Sequence, residues 1–269
     1  MTGRPLPTHA ASRVLGDFFA RVRTAPARLL LLDYDGTLAP FHVDPAKALP
    51  YPGVRPLLDA LIASGHTRVV IVSGRWTRDL VPLLNLRHRP EIWGSHGWER
   101  LHANGEYEIA RIHPAALQGL VAADDWIAGI EALGARAERK PASIAVHWRG
   151  LSSERIAEVR DRLLERWRDE PREDNLVWHD FDGGIELRVA GCNKRDVVTA
   201  LAGEVDPDAA VAYLGDDSTD EDAFRAMPDA GLAILVRPEP RPSAAGIWLR
   251  PPEQLIDFLT RWLNEAKGR

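Results

Sequence analysis

A single cysteine, Cys192, stands in 269 residues. No disulfide can form within the chain, which suits a reducing compartment. No apolar run reaches the roughly 18 residues that a membrane helix needs. The N-terminal MTGRPLPTHAASRVLGDFF lacks the continuous apolar stretch of a signal peptide. A cytoplasmic protein with no membrane partner is expected. Excess positive charge is also missing. Against 34 Lys and Arg stand 39 Asp and Glu, a net charge of -5, so the electrostatic footprint of a nucleic-acid binder is absent. Lysine is scarce: Lys47, Lys140, Lys194 and Lys267 are the only ones, and the other basic residues are arginine. Two of these lysines fall in motifs described below. What is present is ordinary for a globular chain, 45% hydrophobic and 27% charged, with length for one large domain or two modest ones.

Hydrophobic patterning divides the chain into two grammars. Residues 11–23 place Val14, Leu15, Phe18, Phe19 and Val22 on one helical stripe. ARLLLLDYD then reads as a strand buried on both faces, the kind found in parallel sheets. Helices are expected over 53–64, 76–84 and 253–264. Further apolar strands are expected at TRVVIVSGR, EIWGSHG, AVAYLG, GLAILV and GIWL. Strands alternating with helices predict an α/β fold, a doubly wound, Rossmann-like parallel sheet that binds ligands beyond the carboxyl ends of its strands. The middle of the chain differs. Two amphipathic helices, 115–133 and 152–168, accompany the alternating strand ASIAVHWR and the strands NLVWH and GIELRV. Helices grouped beside strands predict a smaller α+β cap domain over 106–186, inserted into a discontinuous core of 1–105 and 187–269.

In LLLLDYDGTLAPF two carboxylates, Asp33 and Asp35, stand one residue apart at the end of an apolar strand. Residues i and i+2 of a strand point the same way, so the pair repels unless a cation or a shared proton intervenes. An Asp-Gly turn with a calcium-loop look is the plainer alternative. An EF-hand loop, however, needs glycine at its sixth position. Counted from Asp33 that position is Leu38, and in DDSTDE it is Glu221.

Asp-x-Asp-Gly-Thr after an apolar strand resembles the first motif of the haloacid dehalogenase superfamily of phosphotransferases. The resemblance implies three further motifs, and each has a counterpart in order: Ser73 in VVIVSGR, Lys194 in GCNKRD, and Asp216, Asp217 and Asp220 in YLGDDSTDEDAF. The residue types suit the implied chemistry. Phosphate monoester hydrolysis is among the slowest uncatalysed reactions. Asp33 is expected to be the nucleophile, splitting the step through an aspartyl-phosphate. Asp35 is expected to protonate the leaving alkoxide and then activate water. Lys194, Ser73, Gly74 and Thr37, with nearby backbone N–H groups, are expected around the phosphoryl oxygens. Mg²⁺ prefers octahedral oxygen ligands and is the expected cofactor, held by Asp33, the backbone carbonyl of Asp35 and Asp216. Asp217 and Asp220 are expected behind these ligands or as helix caps.

The spelling of LLLLDYDGTLAPF, IVSGR, GSHGWE, ERKPASIAVHWR, GIELRVAGCNKRD and YLGDDSTDEDAF is similar to that of trehalose-6-phosphate phosphatases. That resemblance implies a cap that closes over the sugar and sets specificity, and a functional link to a trehalose-6-phosphate synthase. Strand alternation puts Ile144, Val146 and Trp148 on a face packed on helices, and Ser143, His147 and Arg149 on the other. Glu138, Lys140, Ser143, His147 and Arg149 match the family's cap pattern and are expected to contact the sugar. Glu186 and Arg188 flank the return to the core and are expected at the substrate, Arg188 either on phosphate or paired with Glu186. Asn193, beside Lys194, and His96, in the turn of GSHG, complete the expected binding set. The family's Arg-Pro-x-Gly-x-Asn-Lys-Gly is altered here, with Val189 for the proline and Arg195 for the glycine. Trp98 is also larger than the residue the pattern implies.

The expected function is Mg²⁺-dependent hydrolysis of the phosphosugar trehalose 6-phosphate to trehalose and phosphate. Within enzymes the alternatives are a phosphatase of another glycosyl phosphate, such as glucosylglycerol phosphate or sucrose 6-phosphate, and more distantly a phosphohexomutase. A non-catalytic phosphosugar sensor is the alternative of another class. It would be favoured by loss of the nucleophile, the lysine or a metal carboxylate, and all three are present.

Overall fold

The computed structural model describes residues 8–168, 175–181 and 183–268. In chain order its first elements are α1 (Thr8–Thr24), β1 (Arg28–Leu32), α2 (Val54–Ala63), β2 (Arg68–Val72), α3 (Thr77–Leu84), β3 (Glu91–Gly94), β4 (Glu99–Leu101) and β5 (Tyr107–Ile109). There follow α4 (Pro114–Glu131), β6 (Arg136–Lys140), β7 (Ser143–His147), α5 (Ser153–Arg168), β8 (Leu176–Phe181) and β9 (Gly184–Val189). The chain ends with α6 (Lys194–Gly203), β10 (Ala210–Gly215), α7 (Glu221–Ala226), β11 (Leu232–Val236), β12 (Ile247–Leu249) and α8 (Glu253–Ala266). Among the described residues, 8–108 with 193–268 form one compact unit, and those of 109–192 form a second.

The first unit is built on an eight-stranded sheet in the order β12-β11-β10-β1-β2-β3-β4-β5. From β12 to β3 every pairing is parallel. The leucines of β1 show why this strand is central. Leu30 and Leu32 join one apolar cluster with Phe19, Leu58, Leu80 and Trp262 from α1, α2, α3 and α8. Leu29 and Leu31 join another with Val197, Leu201 and Phe224 from α6 and α7. The period of two thus feeds two helical layers, and a strand buried on both faces must be apolar throughout. Each fully buried leucine contributes about 1.5–3 kcal/mol. The chain runs outward from β1 to β3 and later from β10 to β12, so the strand order reverses between β1 and β10. The crevice at such a switch point, beyond the carboxyl ends, is where open α/β sheets bind ligands.

One feature of this sheet lies outside the sequence expectation. After β3 the chain turns over Ser95–Gly97 and returns as β4, antiparallel to β3 with Gly94 opposite Glu99. The second unit is a four-stranded antiparallel sheet, β6-β7-β9-β8, accompanied by α4 and α5, the expected α+β module. Its boundary differs from the expected one. β9 runs to Val189 and pairs along its length with β7 and β8, so residues 187–192 belong to this unit and the core resumes at Asn193. Among the described residues no helix is long and apolar enough to cross a membrane.

Candidate active site

Asp33 follows β1, and its backbone N–H donates to the carbonyl of Leu214 in β10 at 2.9 Å. This bond ties it to the neighbouring strand at the switch point. The Asp33 side chain is buried. Its Oδ1 accepts from Lys194 Nζ at 2.6 Å, and its Oδ2 accepts from Thr37 Oγ1 at 3.1 Å. Lys194 reaches this point because it opens α6. The side chain of Asn193 caps that helix by accepting from the backbone N–H groups of Arg195 and Asp196, with Asp196 reciprocating. Lys194 Nζ also donates to Asp220 Oδ1 at 2.7 Å. Asp220 is held from four sides, since it further accepts from Tyr213 Oη at 2.6 Å and from the N–H groups of Asp216 and Asp217 at 3.0 Å.

Carboxylate oxygens of Asp33, Asp216 and Asp220 lie within 4.8 Å of one another, all three residues buried. Against these three carboxylates the immediate cluster sets one ammonium, Lys194. Burial pushes the Asp33 carboxyl up to about 7, and Asp220 and Asp35 add to the rise against the pull of Lys194. Burial, then Asp33 and Asp220, also raise Asp216 well above the carboxylate range. Burial works against the Lys194 ammonium, but Asp220 and Asp33 outweigh it and keep the group charged. A buried set of hard oxygen donors with surplus negative charge suits a small divalent cation of the Mg²⁺ or Ca²⁺ type. Asp220 belongs to this set geometrically. With its oxygens taken by four donors, it also acts as the brace that orients Lys194 and the loop after β10. Asp217 caps the short helical turn Ser218–Asp220 through Ser218 N–H.

Asp35 is placed differently. Its carboxylate is held in a fork by Arg75, with Nε and Nη2 each at 2.6 Å, the strong bidentate geometry of guanidinium and carboxylate. Arg75 also donates to the carbonyl of Pro45 at 2.9 Å and lies over the Tyr34 ring. Gly36 has φ +78°, and a Cβ there would fall 2.1 Å from Asp216 Oδ2. Only glycine lets the Asp33–Thr37 turn approach Asp216 this closely. Ser73 is buried after β2, and its Oγ accepts from Arg75 N–H at 3.1 Å. Gly74 packs directly under the imidazole of His96.

In the second unit the register places Glu138 opposite Ala145, Ala145 opposite Glu186, Lys140 opposite Ser143, and Ser143 opposite Arg188. These residues therefore share one sheet face. Glu186 Oε1 accepts from Lys140 Nζ at 2.9 Å and Ser143 Oγ at 2.7 Å, while His147 Nε2 pairs with Glu138 Oε2 at 2.9 Å. Arg149 lies against Gly183. Ile144 and Val146 occupy the opposite face and are buried, as their alternation requires.

Thus Asp33, Thr37, Lys194, Asp216 and Asp220 converge on one point. Glu138, Lys140, Ser143, His147 and Glu186 form a second polar network. Asn193 spends its side-chain oxygen on the helix cap that delivers Lys194. The sequence reading passed over Tyr213 and Arg75. Tyr213 sits inside the apolar run AVAYLG and reads as core, although its hydroxyl is the one polar group of that strand. Arg75 stands in the quoted IVSGR without a partner legible from the sequence.

The fold is that of haloacid dehalogenase-like hydrolases. One such hydrolase from Bacteroides thetaiotaomicron superposes with a TM-score of 0.61 at 15% identity, covering 87% of this chain and 99% of that one. The C-terminal domain of a C. albicans trehalose-6-phosphate phosphatase superposes with a TM-score of 0.76 at 20% identity, covering 98% of this chain and 99% of the other. The chain belongs to the trehalose-phosphatase family, whose model matches residues 31–248. It is 30% identical to a trehalose-phosphate phosphatase of Mycobacterium marinum, over 97% of this chain and 73% of that protein. It is 33% identical to a bifunctional trehalose-6-phosphate synthase/phosphatase of Thermoproteus tenax, over 80% of this chain. There it spans only 29% of the longer protein.

Proposed function

We propose that the chain is a Mg²⁺-dependent phosphatase that hydrolyses trehalose 6-phosphate to trehalose and inorganic phosphate. The observation that carries this reading is the buried meeting of Asp33, Lys194 and Asp216 at the switch point, in a chain of the trehalose-phosphatase family. In this reading an Asp33 oxygen attacks phosphorus, the bond to the sugar oxygen breaks, and an aspartyl-phosphate forms. Asp35 gives the leaving alkoxide a proton and later takes one from the water that cleaves the acyl phosphate. Arg75 aims the Asp35 carboxylate for both transfers. Lys194, Ser73, Thr37 and the backbone N–H of Gly74 hold the phosphoryl oxygens. Asp33, Asp216 and the backbone carbonyl of Asp35 would hold Mg²⁺, with Asp220 and Asp217 bracing them. Once bound, the ion neutralises charge on the phosphoryl group.

The polar network of the second unit supplies groups for the sugar hydroxyls: Glu138, Lys140, Ser143, His147, Arg149, Glu186 and Arg188. His96 is the contact from the β3–β4 turn. A second reading, a different glycosyl phosphate as substrate, draws on Val189 and Arg195, which depart from the family pattern. The bifunctional relative supports a functional link to a trehalose-6-phosphate synthase, and the single cysteine supports a cytoplasmic setting.

Asp33→Asn tests the chemistry. Phosphate release should fall to background while circular dichroism and Tm show a folded protein. Full turnover by this variant would refute the covalent mechanism.

A further inference from the structure

A further buried carboxylate, Glu99, is linked through Ser95 to the loop after β2, and none of the steps above uses it. Glu99, the first residue of β4, has no exposed surface. A buried carboxylate is costly unless donors satisfy it. Here the donors are hydroxyls: Ser95 Oγ on Oε1, and on Oε2 Thr77 Oγ1 at 2.7 Å and Tyr107 Oη at 3.0 Å. Ser95 and His96 both adopt the left-handed backbone conformation, φ 48° and 60°, which is uncommon outside glycine. Two such residues in succession persist only where the surroundings over-determine them.

Those surroundings lead to the loop after β2. Ser95 N–H donates to the Arg75 carbonyl at 2.8 Å, and His96 N–H donates to the Ser73 carbonyl at 3.0 Å. The imidazole of His96 is pressed on Gly74, where an added Cβ would fall 2.5 Å from Cε1 and 2.6 Å from Nε2. Gly94, before the turn, is equally confined, since a Cβ there would meet Thr77 Cγ2 at 2.6 Å. The strained turn is therefore fastened on one side to the Glu99 carboxylate and on the other to the main chain of Ser73 and Arg75.

We infer that Glu99 is a positioning residue for the phosphate site. By holding the Ser95 hydroxyl it keeps the turn in its left-handed form, and so keeps His96 over Gly74 and the Ser73 loop in place. The inference rests on the reading of Ser73 and Gly74 as phosphate-binding.

Ser95→Gly separates positioning from mere support of the fold. It removes the hydroxyl link to Glu99 while easing the positive φ. The probe is inorganic phosphate, titrated by calorimetry in Mg²⁺ buffer, with Tm recorded alongside. Phosphate affinity should fall about tenfold, the lower end of what loss of an outer partner costs at a metal site, in a protein that still melts cooperatively and keeps the wild-type circular dichroism. Glu99→Gln should weaken phosphate binding by a similar factor, and that loss should vanish in a His96→Ala background. Wild-type affinity in Ser95→Gly, or losses from Glu99→Gln and His96→Ala that simply multiply, would overturn the inference. A wild-type protein that binds phosphate yet leaves trehalose 6-phosphate intact would refute the substrate reading alone, and the same titrations would still decide the role of Glu99. A wild-type protein that binds no phosphate would refute both.

Discussion

At the scale of the residue, the site is defined by carboxylates that cannot all ionise unaided. The Asp33 carboxyl stands near 7, above its ordinary 3.8, chiefly through burial. The sign of the consequence follows. A carboxyl with a higher pKa folded than unfolded binds more proton in the folded state. Its contribution to stability is complete below the unfolded value and is lost as pH rises through about 7. Under the proposed reading a divalent cation would take the place of that proton, so its binding would release protons and strengthen over that window. Under the proposed reading, the rise in Tm produced by saturating MgCl₂ over EDTA should be larger near pH 8 than near pH 6. Thermal melts at the two pH values would show this, and an equal or smaller rise at the higher pH would contradict it. Much of this site was legible in the sequence because Asp33, Ser73 and Asp216 each follow an apolar strand, where an isolated polar residue stands out. Tyr213 and Glu99 were not legible. One lies within an apolar run, and the other shows its purpose only through hydroxyls brought to it by folding.

At the scale of the element, close approach between loops decides whether the site assembles. Gly36 joins β1 to the turn that carries Thr37, and it leaves no room for a side chain against Asp216. Gly36→Ala would add strain of about 1–3 kcal/mol at positive φ and displace the Asp216 carboxylate. Urea unfolding should register the destabilisation, and phosphate release should drop steeply even where the variant is folded. Unchanged activity in a folded Gly36→Ala protein would contradict the described packing. The strands and helices of the core could be read from periodicity, since period two and period 3.6 are properties of the chain itself. The antiparallel return of β4 could not, because it depends on two successive left-handed residues, Ser95 and His96, a conformation that is uncommon for any residue but glycine. The end of the inserted unit was misplaced for a similar reason. GIELRV is equally apolar in a core strand and in β9, and only its pairing with β7 and β8 settles where it belongs.

At the scale of the whole molecule, an inserted α+β unit interrupts a parallel α/β core, and the family match spans both, from residue 31 to 248. The core holds the groups suited to phosphoryl transfer, which many substrates would share. In the proposed reading, the polar face of the second unit, with Glu138, Lys140, His147 and Glu186, supplies the discrimination among sugars. Substrate identity is therefore a property of the full chain, and it is the central claim. The most direct test measures phosphate release by the purified protein, with Mg²⁺ and with EDTA. The substrates are trehalose 6-phosphate, sucrose 6-phosphate, glucosylglycerol phosphate, glucose 6-phosphate and mannose 6-phosphate. The account predicts Mg²⁺-dependent release with the highest kcat/KM for trehalose 6-phosphate. Equal or better turnover of another ester, or release that persists without the metal, would contradict it.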